Sequence, residues 1–207
     1  RLEALKNAVR RSIMTSSFLI FPMMIGLAVI AEPLVRLLLT ETWLPAVPFI
    51  QIYAVTMMFF PIHTTNLQAI KAIGRSDMFL KLEIIKTVLA LVVLLISLPF
   101  GVIAIAFSSL ITTILSIFIN AYPNRKFLNY SYKEQMLDLL PAFLLSGAMG
   151  LAVYLLNYLT LAVWLKLILQ IFTGIIIYFG SAKLFKIEIF EYLLTTSREF
   201  LRQRNRK

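Results

Sequence analysis

The chain contains no cysteine and a single histidine, His63. That excludes structural disulfides, thiolate metal sites and any multi-histidine centre. Charge is scarce and lopsided: 14% of the 207 residues are charged, with 10 acidic against 20 basic side chains. There is no HExxH or DxxxD pattern and no glycine-rich nucleotide loop, so no catalytic group, metal or cofactor is expected. What fills the chain instead is apolar: 60% of its residues are hydrophobic and the mean hydropathy is +0.87, more than a soluble domain of this size needs for a core. The net charge of +10 comes in short clusters between apolar runs, not along one continuous face, so nucleic acid is not an expected partner.

Six apolar stretches are long enough to cross a bilayer, at about 13–31, 46–69, 79–98, 102–120, 139–157 and 161–179. Lys and Arg number 4 in Arg1 to Ser12, 4 in Lys71 to Lys86, 3 in Ala121 to Asp138 and 7 in Lys183 to Lys207, leaving only Arg36 and Lys166 on the other side. Basic residues stay on the cytoplasmic face, so both ends are expected there. The first stretch runs on into Glu32-Pro33 and five more follow, which argues for a span and not a cleaved signal. The fold class expected is an all-α integral membrane protein: a six-transmembrane-helix bundle over 1–187, with 188–207 as a cytoplasmic amphipathic and basic tail on the inner surface.

Between the spans, Leu34 to Leu39 reads as a short interfacial piece, with Trp43 as a headgroup-level anchor. Lys71 to Asp77 reads as a tight turn around Gly74, Pro99-Phe100-Gly101 as a minimal hairpin turn, and Ala121 to Asp138 as a longer cytoplasmic connection. Small residues on the fourth span (Ser108, Ser109, Thr112, Thr113, Ser116) and on the fifth (Ser146 to Gly150) suit close helix packing.

Pro22, Pro48 and Pro61 interrupt the first two spans and are candidate helix kinks. His63, Thr64, Thr65, Asn66 and Gln68 form a polar string that either lines a cavity or marks where the second span enters the headgroups. Glu83 and Lys86 lie deep enough to face a polar cavity, although Lys86 also has the length to snorkel. Kinked helices, a polar lining and exchangeable charges are the parts of a carrier.

In order along the chain, Ala31-Glu32-Pro33-Leu34-Val35, Glu41-Thr42-Trp43-Leu44-Pro45-Ala46-Val47-Pro48-Phe49, Leu67-Gln68-Ala69-Ile70-Lys71-Ala72-Ile73-Gly74-Arg75-Ser76-Asp77 and Lys81-Leu82-Glu83-Ile84-Ile85-Lys86 resemble the C-terminal half of a bacterial polysaccharide or oligosaccharide flippase of the Wzx type. That family lies in the MOP superfamily with the multidrug and toxic compound extrusion transporters and the lipid II flippases. The resemblance implies one half of a two-bundle alternating-access transporter in the bacterial cytoplasmic (inner) membrane. It implies translocation of a polyprenyl-pyrophosphate-linked oligosaccharide for surface polysaccharide biosynthesis, with no enzymatic step. Lys86 and Arg75 become candidate cationic contacts or gate ion pairs with Glu83 or Asp77. The partners implied are the lipid-linked oligosaccharide, membrane lipids, a missing N-terminal six-helix bundle and polysaccharide assembly proteins. The alternatives are a cation-coupled small-molecule or drug exporter, for which the spans hold no embedded acid beyond Glu83, and a non-transporting scaffold subunit.

Overall fold

The computed structural model describes residues 2–204, with side chains as far as Ser197's predecessor and at Glu199. The described residues form eight α-helices: α1 (Leu2–Leu38), α2 (Val47–Met58), α3 (Phe60–Ala72), α4 (Ser76–Ser97), α5 (Val102–Leu128), α6 (Tyr132–Leu155), α7 (Val163–Leu184) and α8 (Glu188–Arg204). A 3₁₀ segment, Glu41–Ala46, precedes α2. This is an all-α, multi-span membrane bundle. Among the described residues, five stretches are long and apolar enough to cross a membrane: Leu2–Leu38, Glu41–Ala72, Val102–Leu128, Tyr132–Tyr158 and Val163–Leu184. α4 has the length, at 22 residues, but carries Asp77, Lys81, Glu83 and Lys86 in its first three turns.

Several helices overshoot the spans the sequence suggests. α1 has 37 residues, about 55 Å of helix against a hydrocarbon core of about 30 Å. The segments Arg1 to Ser12 and Leu34 to Leu39, expected as separate pieces, are continuous with it from Leu2 to Leu38. Pro33 does not end the helix. Arg36 bridges Glu32 (3.0 Å) and Glu41 (2.8 Å) across the corner that follows. The expected connection Ala121 to Asp138 is also corrected. α5 runs through Pro123 to Leu128, α6 starts at Tyr132, and only residues 129–131 turn the chain. Asn129 takes the left-handed conformation (φ 51°), and Ser131 with Glu134 forms a reciprocal capping box. The helix persists because Ile117, Ala121, Asn124 and Leu128 form a buried stripe at helical spacing.

α1 is the central helix, packed against α2, α3, α6 and α7, while α4 rests on α5 and α3 at the edge. Only Leu82 and Ser97 of α4 are buried. The core gathers Ile13, Phe18 and Phe21 of α1, Ile62 of α3, Met149 of α6 and Tyr178 of α7. Ile189 is buried in it, and Phe190 lies against Phe18 and Phe179, so the start of α8 is packed onto α1 and α7. The tail's expected apolar residues Phe200 and Leu201 lie in the part of α8 described by its backbone alone, and residues 205–207 lie outside the described residues.

The prolines act differently from one another. Pro48 and Pro61 sit in the first turns of α2 and α3, where a missing N–H leaves no bond unmade, and the second span breaks at Phe59. Pro22 lies inside unbroken α1, so the carbonyl four residues back, on Phe18, loses its usual donor. The Tyr178 hydroxyl of α7 donates to that carbonyl at 2.6 Å.

α1 and α6 meet closely at Gly150, where an added Cβ would lie 2.5 Å from Ile25 Cγ2. Gly150→Ala is therefore expected to destabilise the bundle by about 1–3 kcal/mol through overpacking, read as a lower unfolding temperature in detergent.

Candidate functional site

The second span's polar string divides over three environments. His63 of α3 faces a cleft of about 320 Å³ shared with Glu83, Lys86 and Thr87 of α4 and Thr112, Thr113 and Ser116 of α5. Lys86 and His63 each lie about 14–15 Å, nine or ten residues, from the ends of their helices at the Gly74 turn. Both therefore stand at one depth in the bundle. Lys86 Nζ donates to Glu83 Oε1 at 2.6 Å, and its side chain is the more sheltered of the pair. His63 Nδ1 is 3.1 Å from Asn120 Nδ2. With the amide nitrogen donating, Nδ1 is the acceptor and the ring proton sits on Nε2. That nitrogen is buried without a protein partner. An ammonium, a carboxylate, an imidazole and four hydroxyls suit hydrogen bonding to an anion or a sugar hydroxyl.

Asn66, one turn further along α3, points elsewhere. It is fully buried, accepts from Asn124 Nδ2 of α5 at 2.6 Å and donates to Gln135 Oε1 of α6 at 3.1 Å. Asn124 also donates to the Asn66 backbone carbonyl, and Gln135 donates to the carbonyl of Tyr130. This layer of amides ties three helices together and leaves Asn66 no free group for a ligand. Gln68 is exposed on another face of α3.

Arg75 and Asp77 are bound to each other in the turn, with Nε–Oδ1 and Nη2–Oδ2 both 2.9 Å. The guanidinium holds the Asp77 carboxyl down at about 2 and stacks 5.1 Å from the Phe127 ring. Glu83 is engaged by Lys86 instead, so the two expected ion pairs are local and separate. Arg36 and Lys166 are likewise occupied, Lys166 by the Asn157 carbonyl at 3.1 Å.

A second polar assembly, missed in the sequence, joins the N-terminal part of α1 to the start of α6. Lys6 pairs with Glu134 at 3.1 Å, and Arg10 grips Asp138 through Nη2 at 2.6 Å and Nε at 2.7 Å. Lys6 and Arg10 stand four residues apart, as do Glu134 and Asp138, so the two bridges are consecutive rungs on facing helices. The Tyr130 hydroxyl donates to Asp138 at 2.8 Å. Burial first, then Asp138, push the Tyr130 phenol well above its usual range, so it stays a donor. The matching i,i+4 spacings of Lys6/Arg10 and Glu134/Asp138 were the available signal. For the amide layer it was Asn120/Asn124.

Among known proteins, a family described as "Polysaccharide biosynthesis protein" matches residues 2–48. No match was found among the curated proteins. Among solved structures, the chain is similar to the "Lipid II flippase MurJ, inward closed conformation", with a TM-score of 0.74 and 21% identity over 89% of this chain. The chain spans about 40% of the length of that flippase chain. The similarity shows a flippase-like fold.

Proposed function

We propose that this chain is one bundle of a carrier that moves a polyprenyl-pyrophosphate-linked oligosaccharide across the bacterial cytoplasmic membrane for surface polysaccharide biosynthesis. The observation carrying this reading is the extent of the fold shared with a lipid II flippase, 89% of the chain at a TM-score of 0.74. The match of residues 2–48 to a polysaccharide biosynthesis family supports the same substrate class. In this reading α4 is a sixth span, with Glu83 and Lys86 turned to the cleft it shares with α3 and α5, and both chain ends are cytoplasmic. A second six-helix bundle supplies the surface against which this one rocks. Lys86 is the cationic contact for the cargo, exchanging Glu83 for pyrophosphate, and His63 is a hydrogen-bonding contact beside it. Gln68 lies on an exposed face where it can meet a partner, while Asn66 ties α3 to α5 and α6 and the Arg75–Asp77 pair braces the turn between α3 and α4.

The test uses the full-length protein in its host. Deleting the gene is expected to remove surface polysaccharide while the lipid-linked oligosaccharide accumulates on the inner leaflet. Complementation with Lys86→Ala is expected to restore export at least about tenfold less well than wild type, as the loss of a charge-assisted hydrogen bond implies. Unchanged surface polysaccharide and no accumulated intermediate after deletion would overturn the reading.

A further inference from the structure

α1, α6 and α7 enclose a groove of about 480 Å³ that is apolar almost throughout. Along α1 it runs from Phe18 to Ile30, about 18 Å of helix axis, close to half of the ~30 Å hydrocarbon core. That is about the length of one extended acyl chain. Its walls come from α1 and α7, and Gly26 and Gly174 keep it open, their missing side chains leaving room above Met149 and Val153.

At Leu19 the groove meets a second cleft, of about 690 Å³, that continues along the same helix back to Ala4. This one is polar: Ser12, Thr15 and Ser16 offer hydroxyls, and Arg11 stands above them. The Thr15 hydroxyl is buried without a partner. Arg11 has no carboxylate within ion-pair distance among the described residues, and its guanidinium stacks 4.8 Å from the Tyr192 ring of α8. Arg11 lies eight residues from Leu19, about 12 Å along the axis, the interval a phosphate and glycerol esters would occupy above a hydrocarbon chain. A free cation at one end and an apolar slot of acyl-chain length at the other complement a single amphiphile carrying negative charge. Basic residues at the start of α1 also stand on the side where anionic phospholipids concentrate.

We propose that this composite groove is a binding site for one anionic phospholipid, with its phosphate at Arg11, its ester oxygens along Ser12 to Ser16 and one acyl chain between α1 and α7. The site is distinct from the Lys86 cleft and does not depend on what the carrier moves.

The experiment is native mass spectrometry of the full-length protein in mild detergent, after delipidation and addition of phosphatidylglycerol, of phosphatidylcholine with the same chains, or of a polyprenyl phosphate. One phosphatidylglycerol per chain is expected to be retained, at least about tenfold in preference to phosphatidylcholine. Arg11→Ala is expected to abolish that preference and Arg11→Lys to keep part of it. Gly26→Leu is expected to remove retention of both lipids by filling the slot, whereas Gly180→Leu, at a glycine outside the groove with open space around it, leaves retention unchanged. Unfolding temperatures of the variants identify any loss caused by misfolding. Equal retention of both lipids by the wild type, or retention by a folded Gly26→Leu, would overturn the proposal. So would a tenfold preference for a polyprenyl phosphate, which would assign the groove to the carrier lipid.

Discussion

Replacing Asp138 with alanine is expected to lower the stability of the bundle by about 2–3 kcal/mol, the largest effect of any single polar substitution outside the cleft. The Asp138 carboxylate accepts from Arg10 twice and from Tyr130 once. Its side chain is 5% exposed while that of Arg10 is 50% exposed. Without the carboxylate, the guanidinium turns back to water at little loss, so only part of the penalty for breaking a buried pair applies. The Tyr130 hydroxyl has no such escape, because Tyr130 is fully buried. Thermal unfolding in detergent, followed by circular dichroism, is expected to show a decrease of about 5–10 °C. Tyr130→Phe, which removes the stranded donor but keeps the ion pair, is expected to lose less than half as much. A melting temperature for Asp138→Ala equal to wild type would mean that this end of α1 is held without the Arg10–Asp138 rung.

The second large effect is expected at Asn66. Alanine there strands the Gln135 carbonyl oxygen and takes the side-chain acceptor from Asn124, whose amide keeps its bond to the Asn66 backbone carbonyl; both residues are no more than 1% exposed. Each unsatisfied group costs about 1–3 kcal/mol, moderated by the partners that membrane helices find elsewhere. A net loss of about 2 kcal/mol is the expectation. Transport distinguishes this role from cargo binding: Asn66→Ala is expected to lower the amount of folded carrier and leave the apparent affinity for cargo unchanged. Lys86→Ala is expected to do the reverse. An altered affinity with normal stability at Asn66 would return it to the site.

The multi-span helical character was written in hydropathy, and the Gly74 and Pro99-Phe100-Gly101 turns in local chemistry. Gly74 and Gly101 both stand at positive φ, 80° and 89°, where glycine carries no Cβ penalty. The connection Ala121 to Asp138 was misread because charge and Pro123 are loop signals in one dimension, whereas α5 and α6 extend past the apolar stretch and still bury one face. His63, Glu83 and Lys86 were legible by residue type, and the fold brings them to one cleft. Asn66 carries the same polar signature, yet it faces amides 58 and 69 residues away. Nothing local separates a lining amide from one that joins helices, since the difference lies in which helix stands opposite.

The bond between Tyr178 and Phe18 constrains how α1 can flex. A proline in mid-helix usually leaves a wet or strained notch where a rod can fold. Here the released carbonyl is capped by a phenol from α7 at 2.6 Å, in an apolar setting where breaking that bond without a substitute is costly. A swing of the N-terminal half of α1 about Pro22 therefore drags α7 with it, and the pair travels as one stiff lever. Bending is coupled to translation of a neighbour instead of being absorbed locally.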